Sequence, residues 1–349
     1  MKKINNILKF EEFEFKEKLK FEEFEFKERI GYGAFGKVFR SIHIDTNTIY
    51  AIKKIKDEDR FRNSAKKEIE ILNDLMLYNK DKDNEYFPII NFYGDFMENN
   101  IQYLVFEYMD INLYHYYKNN INLDTIINLE TIINIIYNVC NGLKFIHRKY
   151  IHADLKPENI MINRKTSIAK IIDFGSTFNK GGSKTNFYIQ SRYYRSPEVL
   201  LNLQFNEKID IWSLGCIFAE LIINKPLFSG RNIRDLVFKI AGKIDIPKNE
   251  KYKKSKNFNI FFLIKKESDI EEYFYLYDNF TDTKDYNKPE YNLDIYLSKY
   301  IQILNKDEIQ NKHIIDFICN TLVYDFDKRP SVEKCLEHLI FTNKKPTLL

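Results

Sequence analysis

The densest cluster of reactive side chains is His152-Ala153-Asp154-Leu155-Lys156-Pro157-Glu158-Asn159, followed by Asp173-Phe174-Gly175. Polar residues packed this closely between apolar runs are hard to explain as core. Asp154 can accept a hydroxyl proton, and Lys156 can neutralise a phosphoryl group in transfer. Asn159 and Asp173 offer hard oxygen ligands suited to Mg2+. Pro157 restricts the residue before it and stiffens the loop. Gly175 lets the backbone turn after Asp173.

Upstream, Gly31-Tyr32-Gly33-Ala34-Phe35-Gly36-Lys37-Val38 fits G-x-G-x-x-G-x-V. Without Cβ atoms, such a turn lets phosphate oxygens approach the backbone. Taken alone it could be a glycine-rich hairpin. Its setting between two predicted strands distinguishes it from a dinucleotide fingerprint, which opens a helix. Tyr50-Ala51-Ile52-Lys53 follows on a strand, where Ala51 and Lys53 share one face. Glu68 lies on the next helix among other charges. By itself it is a surface carboxylate; paired with Lys53 it would hold the ammonium. At 4 Å such a pair gains about 4 kcal/mol of Coulomb energy in a partly screened site, before desolvation is subtracted.

These residues need elements to position them. Strands are expected at Phe24–Ile30, Val38–Ile44 and Ile49–Ile55, with a turn at Asp45-Thr46-Asn47. Ser64 can cap a helix running to Leu77. Ile89–Met97 and Ile101–Glu107 read as a hairpin. After Tyr108 the pattern becomes helical. Leu129–Arg148 is amphipathic, with Ile132, Ile136, Cys140, Leu143 and His147 on one face. Further helices are expected at Lys208–Ile223, Ile233–Ala241, His313–Val323 and Ser331–His338. Residues 245–300 read as an irregular insertion with short helices. Leu8–Glu17 reads LKFEEFEFKE, and Leu19–Glu28 repeats the same ten residues. The second copy runs into Gly31 and should supply a strand. The first is an extra strand, a loose arm or an aromatic docking arm.

In motif order and spacing the chain resembles the eukaryotic protein kinases, over residues 22–342. The resemblance implies an α+β, bilobal fold. Its N-lobe, residues 22–107, would be a small antiparallel sheet with one main helix. Its C-lobe, 108–342, would be larger and mostly helical, and 1–21 an extension. The resemblance further implies that ATP and Mg2+ are used. Gly31, Gly33, Ala34, Phe35 and Gly36 would cover the phosphates. Lys53 would contact the α- and β-phosphates and pair with Glu68. Asp154 would accept from the substrate hydroxyl, Lys156 would meet the γ-phosphate, and Asn159 and Asp173 would hold Mg2+. Phe106 falls at the gatekeeper position. Glu107 and Met109 would offer backbone groups to adenine, which Ile30, Val38, Ala51 and Met161 would sandwich. Leu72, His152 and Phe174 fit the family's packed regulatory column. Arg329 would pair with Glu198, and Asp210 would bind catalytic-loop backbone.

Asp154-Leu155-Lys156-Pro157-Glu158-Asn159 is the serine/threonine form. Tyr188-Ile189-Gln190-Ser191-Arg192-Tyr193-Tyr194-Arg195-Ser196-Pro197-Glu198 resembles the DYRK/HIPK branch of the CMGC kinases. Ala153 stands where the family carries an arginine that clamps a phosphorylated loop, so the loop must be ordered some other way. Tyr188 matches the branch's autophosphorylated tyrosine, with Arg192 and Arg195 as partners for its phosphate; Asn186 replaces the first of the branch's paired tyrosines. Arg195 also implies a Ser/Thr-Pro preference. The alternatives are a catalytically silent scaffold or another CMGC kinase of cyclin-dependent or mitogen-activated type.

Composition bounds the remaining classes. The chain has 349 residues, and 54 Lys and Arg against 50 Asp and Glu leave a charge of only +4. That argues against nucleic acid or an anionic membrane as the main ligand. Protein substrates and a monomeric kinase domain are expected instead. Cys140, Cys216, Cys319 and Cys335 have no metal-site spacing and read as reduced thiols of an intracellular protein. Met1–Phe10 shows no apolar signal core. Cytoplasm and nucleus both stay open; Lys251–Lys256 (KYKKSK) reads as an import patch or a solvated loop.

Overall fold

The computed structural model describes residues 19–33, 35–80, 87–122, 127–181, 189–244, 250–266, 272–276 and 292–342. The first repeat copy, Ala34, Asn186, Tyr188 and much of 245–291 lie outside them. The described part is α+β. It divides into two units. One runs to Met76 and takes in Asn91–Tyr108; the other is Leu77–Ile90 with Met109 onward.

The first unit holds β1 (Phe24–Tyr32), β2 (Gly36–His43), β3 (Ile49–Ile55), most of α1 (Asp59–Lys80), β4 (Phe92–Glu98) and β5 (Ile101–Glu107). The strands form one antiparallel sheet ordered β1-β2-β3-β5-β4. The second repeat copy enters its core: Leu19 and Phe24 are buried with Tyr50, Ile52, Phe96, Tyr103 and Val105. Leu19 fits because Gly94 has φ 139°; a Cβ there would stand 3.2 Å from the Leu19 Cδ1. α1 begins five residues before the expected Ser64 cap. Asp59 favours its first turn, and Arg62 bonds Asp59 at 2.6 Å. The strand expected from Ile89 starts at Phe92 instead. Ile89 bridges Ile171 in parallel, and the Ile90 N–H reaches the Ile171 carbonyl at 3.0 Å, so both residues belong to the second unit.

The second unit continues with β6 (Ile111–Asn112), α2 (Leu113–Asn122), α3 (Leu129–Ile146), β7 (Tyr150–Ile151), β8 (Ile160–Ile162), β9 (Ala169–Ile171) and β10 (Phe178–Asn179). Then follow α4 (Pro197–Leu200), α5 (Lys208–Ile223), α6 (Ile233–Ala241), α7 (Glu250–Lys253) and α8 (Phe258–Phe261). A hairpin of β11 (Phe262–Lys266) and β12 (Glu272–Leu276) precedes α9 (Leu293–Leu304), α10 (Glu308–Thr321) and α11 (Val332–Leu336). α5 is buried from Ile209 to Ile223 and packs on α3, α9 and α10. The region read as irregular thus contains a hairpin and the regular helix α9. α10 starts five residues before the expected His313, because Asp307 caps it by accepting from the Ile309 and Gln310 N–H groups. No described helix is long and apolar enough to cross a membrane.

All four cysteines are free. Burial holds Cys140 and Cys216 well above the ordinary thiol range and pushes Cys319 and Cys335 from 9.0 to about 12. The unfolded chain therefore sheds thiol protons above pH 9 that the folded chain keeps. Folded stability is full below that point and falls as pH rises from 9 towards 12. A lower melting temperature at alkaline pH is the expected result, and a flat profile would contradict it.

Candidate active site

The first unit positions an ammonium under a glycine turn. β1 ends and β2 begins around Gly33, whose N–H bonds the Gly36 carbonyl at 2.9 Å. Gly36 is required by the sheet, since a Cβ there would lie 2.0 Å from the Lys54 carbonyl oxygen. Gly33 is different. A Cβ there would meet nothing within 4 Å among the described residues, and Gly33 is absent from the positive-φ glycines. Its missing side chain leaves open backbone for a ligand to approach.

Lys53 sits in β3, between Val38 of β2 and Leu104 of β5. Its Nζ donates to both Glu68 oxygens, at 2.9 and 2.8 Å. The side chains are only 14% and 4% exposed, so the pair is far less screened than surface charges. Phe35 lies over the ammonium, 5.6 Å from Nζ to ring centroid. Val38, Ala51 and Phe106 are half-buried and Ile30 is exposed, so each keeps surface a flat base could cover. The Glu107 N–H donates to the Asn91 carbonyl at 3.1 Å. Met109 and Leu72 are buried.

The second unit builds the loop from β7 to β8. Asp210 of α5, wholly buried, accepts the His152 and Ala153 N–H groups at 2.9 Å each and contacts His147 Nε2 at 3.0 Å. That bracket fixes the chain just before Asp154. Ala153 takes φ 64°, strained for a residue with a Cβ. His152 also meets the Ile172 carbonyl at 3.0 Å and the Phe174 ring at 5.5 Å.

Asp154 projects into a small polar network. Its Oδ2 accepts Lys156 Nζ at 2.7 Å, and its Oδ1 accepts the Ser191 hydroxyl at 2.8 Å. Lys156 Nζ also reaches Ser191 Oγ at 3.0 Å. Asn159 Nδ2 donates to the Asp154 carbonyl at 2.9 Å and to Oδ2 at 3.3 Å, which turns its Oδ1 the other way. The Ile172 N–H bonds the Asn159 carbonyl at 3.0 Å, so the next residue, Asp173, is held beside Asn159 with φ 65°. Two oxygen donors of this type fit a Mg2+ whose remaining positions go to phosphate and water. No group of three His, Cys, Asp or Glu that could hold a metal occurs among the described residues. Met161 is half-buried in β8.

A cavity of about 630 Å3 lies beside this loop, with Lys156, Glu158, Ser191, Tyr193 and Glu220 among its walls. Glu220 was not foreseen, although a carboxylate amid the apolar residues of Cys216–Ile223 was a visible signal. It accepts the hydroxyls of Tyr117 and, at 2.7 Å, of Tyr194. Burial raises its pKa, and burial also raises those of both tyrosines.

Arg195, buried, donates to the carbonyls of Ile189 and Gln190 at 2.8 Å each. Arg192 bonds the Arg231 carbonyl at 2.7 Å. The Arg329–Glu198 pair is formed, with N–O distances of 2.8 and 3.1 Å. In KYKKSK, Lys251 is tied to Asp327 at 2.6 Å, so that lysine is committed within the fold.

Comparison with known proteins agrees with this geometry. The protein kinase domain family matches residues 24–341. Serine/threonine-protein kinase ppk15 of Schizosaccharomyces pombe is 39% identical over 62% of this chain and 40% of its own. Homeodomain-interacting protein kinase 1 of Caenorhabditis elegans is 36% identical over 66% of this chain and 27% of its own. Dual specificity tyrosine-phosphorylation-regulated kinase 2 of Drosophila melanogaster is 41% identical over 58% of this chain and 27% of its own. The chain thus spans less than half the length of each of these relatives. By the extent of the domain match, and by the loop that holds Asp154, the chain belongs to the protein kinase family, and its relatives are of the DYRK/HIPK type.

Proposed function

We propose that the chain transfers the γ-phosphoryl group of ATP to serine and threonine hydroxyls of proteins. The observation that carries this reading is the Asp154 carboxylate, held between Lys156 and Ser191. Asp154 takes the proton of the acceptor hydroxyl. Lys156, beside it, offsets charge on the group in transfer. Lys53, locked by Glu68, binds the nucleotide's phosphates. Asn159 and Asp173 would hold Mg2+, which supplies charge neutralisation on the phosphate oxygens.

Gln190 supports a preference for proline after the acceptor. It has φ 61°, and its carbonyl is engaged by Arg195 at 2.8 Å. The carbonyl is therefore turned to Arg195 rather than offered to an N–H of the substrate. An ordinary residue would leave that N–H unsatisfied, at about 1–3 kcal/mol, whereas proline has none. A Ser-Pro peptide should be phosphorylated about tenfold more efficiently than its Ser-Ala counterpart. Equal efficiencies would refute the preference.

Tyr188 is proposed to carry a phosphate acquired during maturation. Such a group brings about −1.5 to −2 charges and suits nearby arginines. Peptide mapping of active protein should show Tyr188 phosphorylated. Only the bare residue would refute this.

A further inference from the structure

Gln190 is buried, only 6% exposed, and every polar group of it is engaged. Its Nε2 donates to Ser213 Oγ at 2.9 Å, to the Ile209 carbonyl at 3.0 Å and, more weakly, to the Tyr194 carbonyl at 3.3 Å. Its Oε1 accepts the Ser196 N–H at 3.0 Å and the Ser196 hydroxyl at 3.1 Å. Its own N–H reaches the Ala153 carbonyl at 3.0 Å. A single side chain thus ties three places together: the start of α5, the turn at Tyr194 and the entrance to α4. Its main chain joins them to the residue before Asp154. Ala153 itself has no side chain that could reach this segment.

We infer that Gln190 is a positioning residue for the acceptor substrate. Its uncharged clasp holds the left-handed backbone that turns its carbonyl to Arg195 and sets the next residue, Ser191, against Asp154. The inference rests on the kinase reading above. The clasp contains no phosphate and no carboxylate: every partner of the Gln190 side chain is a neutral group, and the one charged donor to this segment is Arg195, on the backbone carbonyls.

The test compares wild type with Gln190→Met, similar in length and volume but unable to hydrogen-bond. Each is assayed with Mg-ATP on matched Ser-Pro and Ser-Ala peptides. The ratio of the two efficiencies does not depend on how much protein is active. We expect it to fall from about tenfold to near unity, with KM for ATP unchanged. A variant that loses activity on both peptides in the same proportion, keeping the ratio, would overturn the inference. So would a wild type that phosphorylates both peptides equally. A wild type that phosphorylates neither overturns the kinase reading itself. If Gln190→Met is not recovered folded, Ser213→Ala decides. It removes one partner of the amide and should lower the ratio about threefold, while an unchanged ratio contradicts the inference.

Discussion

Asp154→Asn should lower peptide phosphorylation by about 10^2- to 10^4-fold, the range a positioned general base supplies. The substitution keeps the shape of the side chain and removes its basicity. Ser191 can still donate to the remaining carbonyl oxygen, which accepts it at 2.8 Å in the native chain. The new NH2 group, however, would face either Lys156 or Ser191. One charge-assisted bond is lost, worth roughly 1.5–3 kcal/mol. The melting temperature should therefore fall only modestly. Nucleotide binding should persist, because Lys53 and Glu68 are untouched. Unchanged turnover in Asp154→Asn would remove the proton-acceptor role altogether.

The second large effect is on stability. Arg329 and Glu198 are both 0% exposed, and each carboxylate oxygen receives a guanidinium nitrogen. Arg329 also donates to the carbonyls of Val323 and Lys208, and stands 5.1 Å from the Trp212 ring. Arg329→Met would strand a buried carboxylate and two carbonyls. Breaking a buried pair in this way costs about 3–5 kcal/mol. In a chain of this size that lowers the melting temperature by roughly 4–7 °C. The double variant Arg329→Met with Glu198→Leu should recover much of the loss, since no charge is then left buried. Thermal melts of the three proteins check this. A single variant as stable as wild type would show the pair to be ornamental.

How much of this was legible in the sequence depended on how local the signal was. α5 and α6 lie where they are expected: α5 is an apolar run of helical length, and in α6 the apolar period agrees with the cap at Asn232. The roles of Asp210 and Arg329 were readable through the resemblance to the kinases, whose motifs these two residues match. α2 and α9 were missed. The Tyr- and Asn-rich LYHYYKNNIN has ordinary propensities, and LDIYLSKYIQIL follows a long polar stretch; tertiary packing makes both helical. The start of β4 moved because Ile89 and Ile90 take partners around Ile171, just over eighty positions on, which no local pattern encodes. Gln190 was read as one letter of a branch signature. A glutamine gives no sign of being buried until the carbonyls around it are placed.

The central claim is that this chain moves a phosphoryl group rather than merely holding a nucleotide. The most direct measurement supplies γ-labelled ATP and Mg2+ to the purified protein with a peptide bearing one Ser-Pro acceptor, and locates the label by mass spectrometry, with and without a metal chelator. Label on the serine hydroxyl, lost when the metal is removed, is the predicted result. Nucleotide binding with no label on the peptide or on the protein itself would contradict the account and leave a silent scaffold in its place.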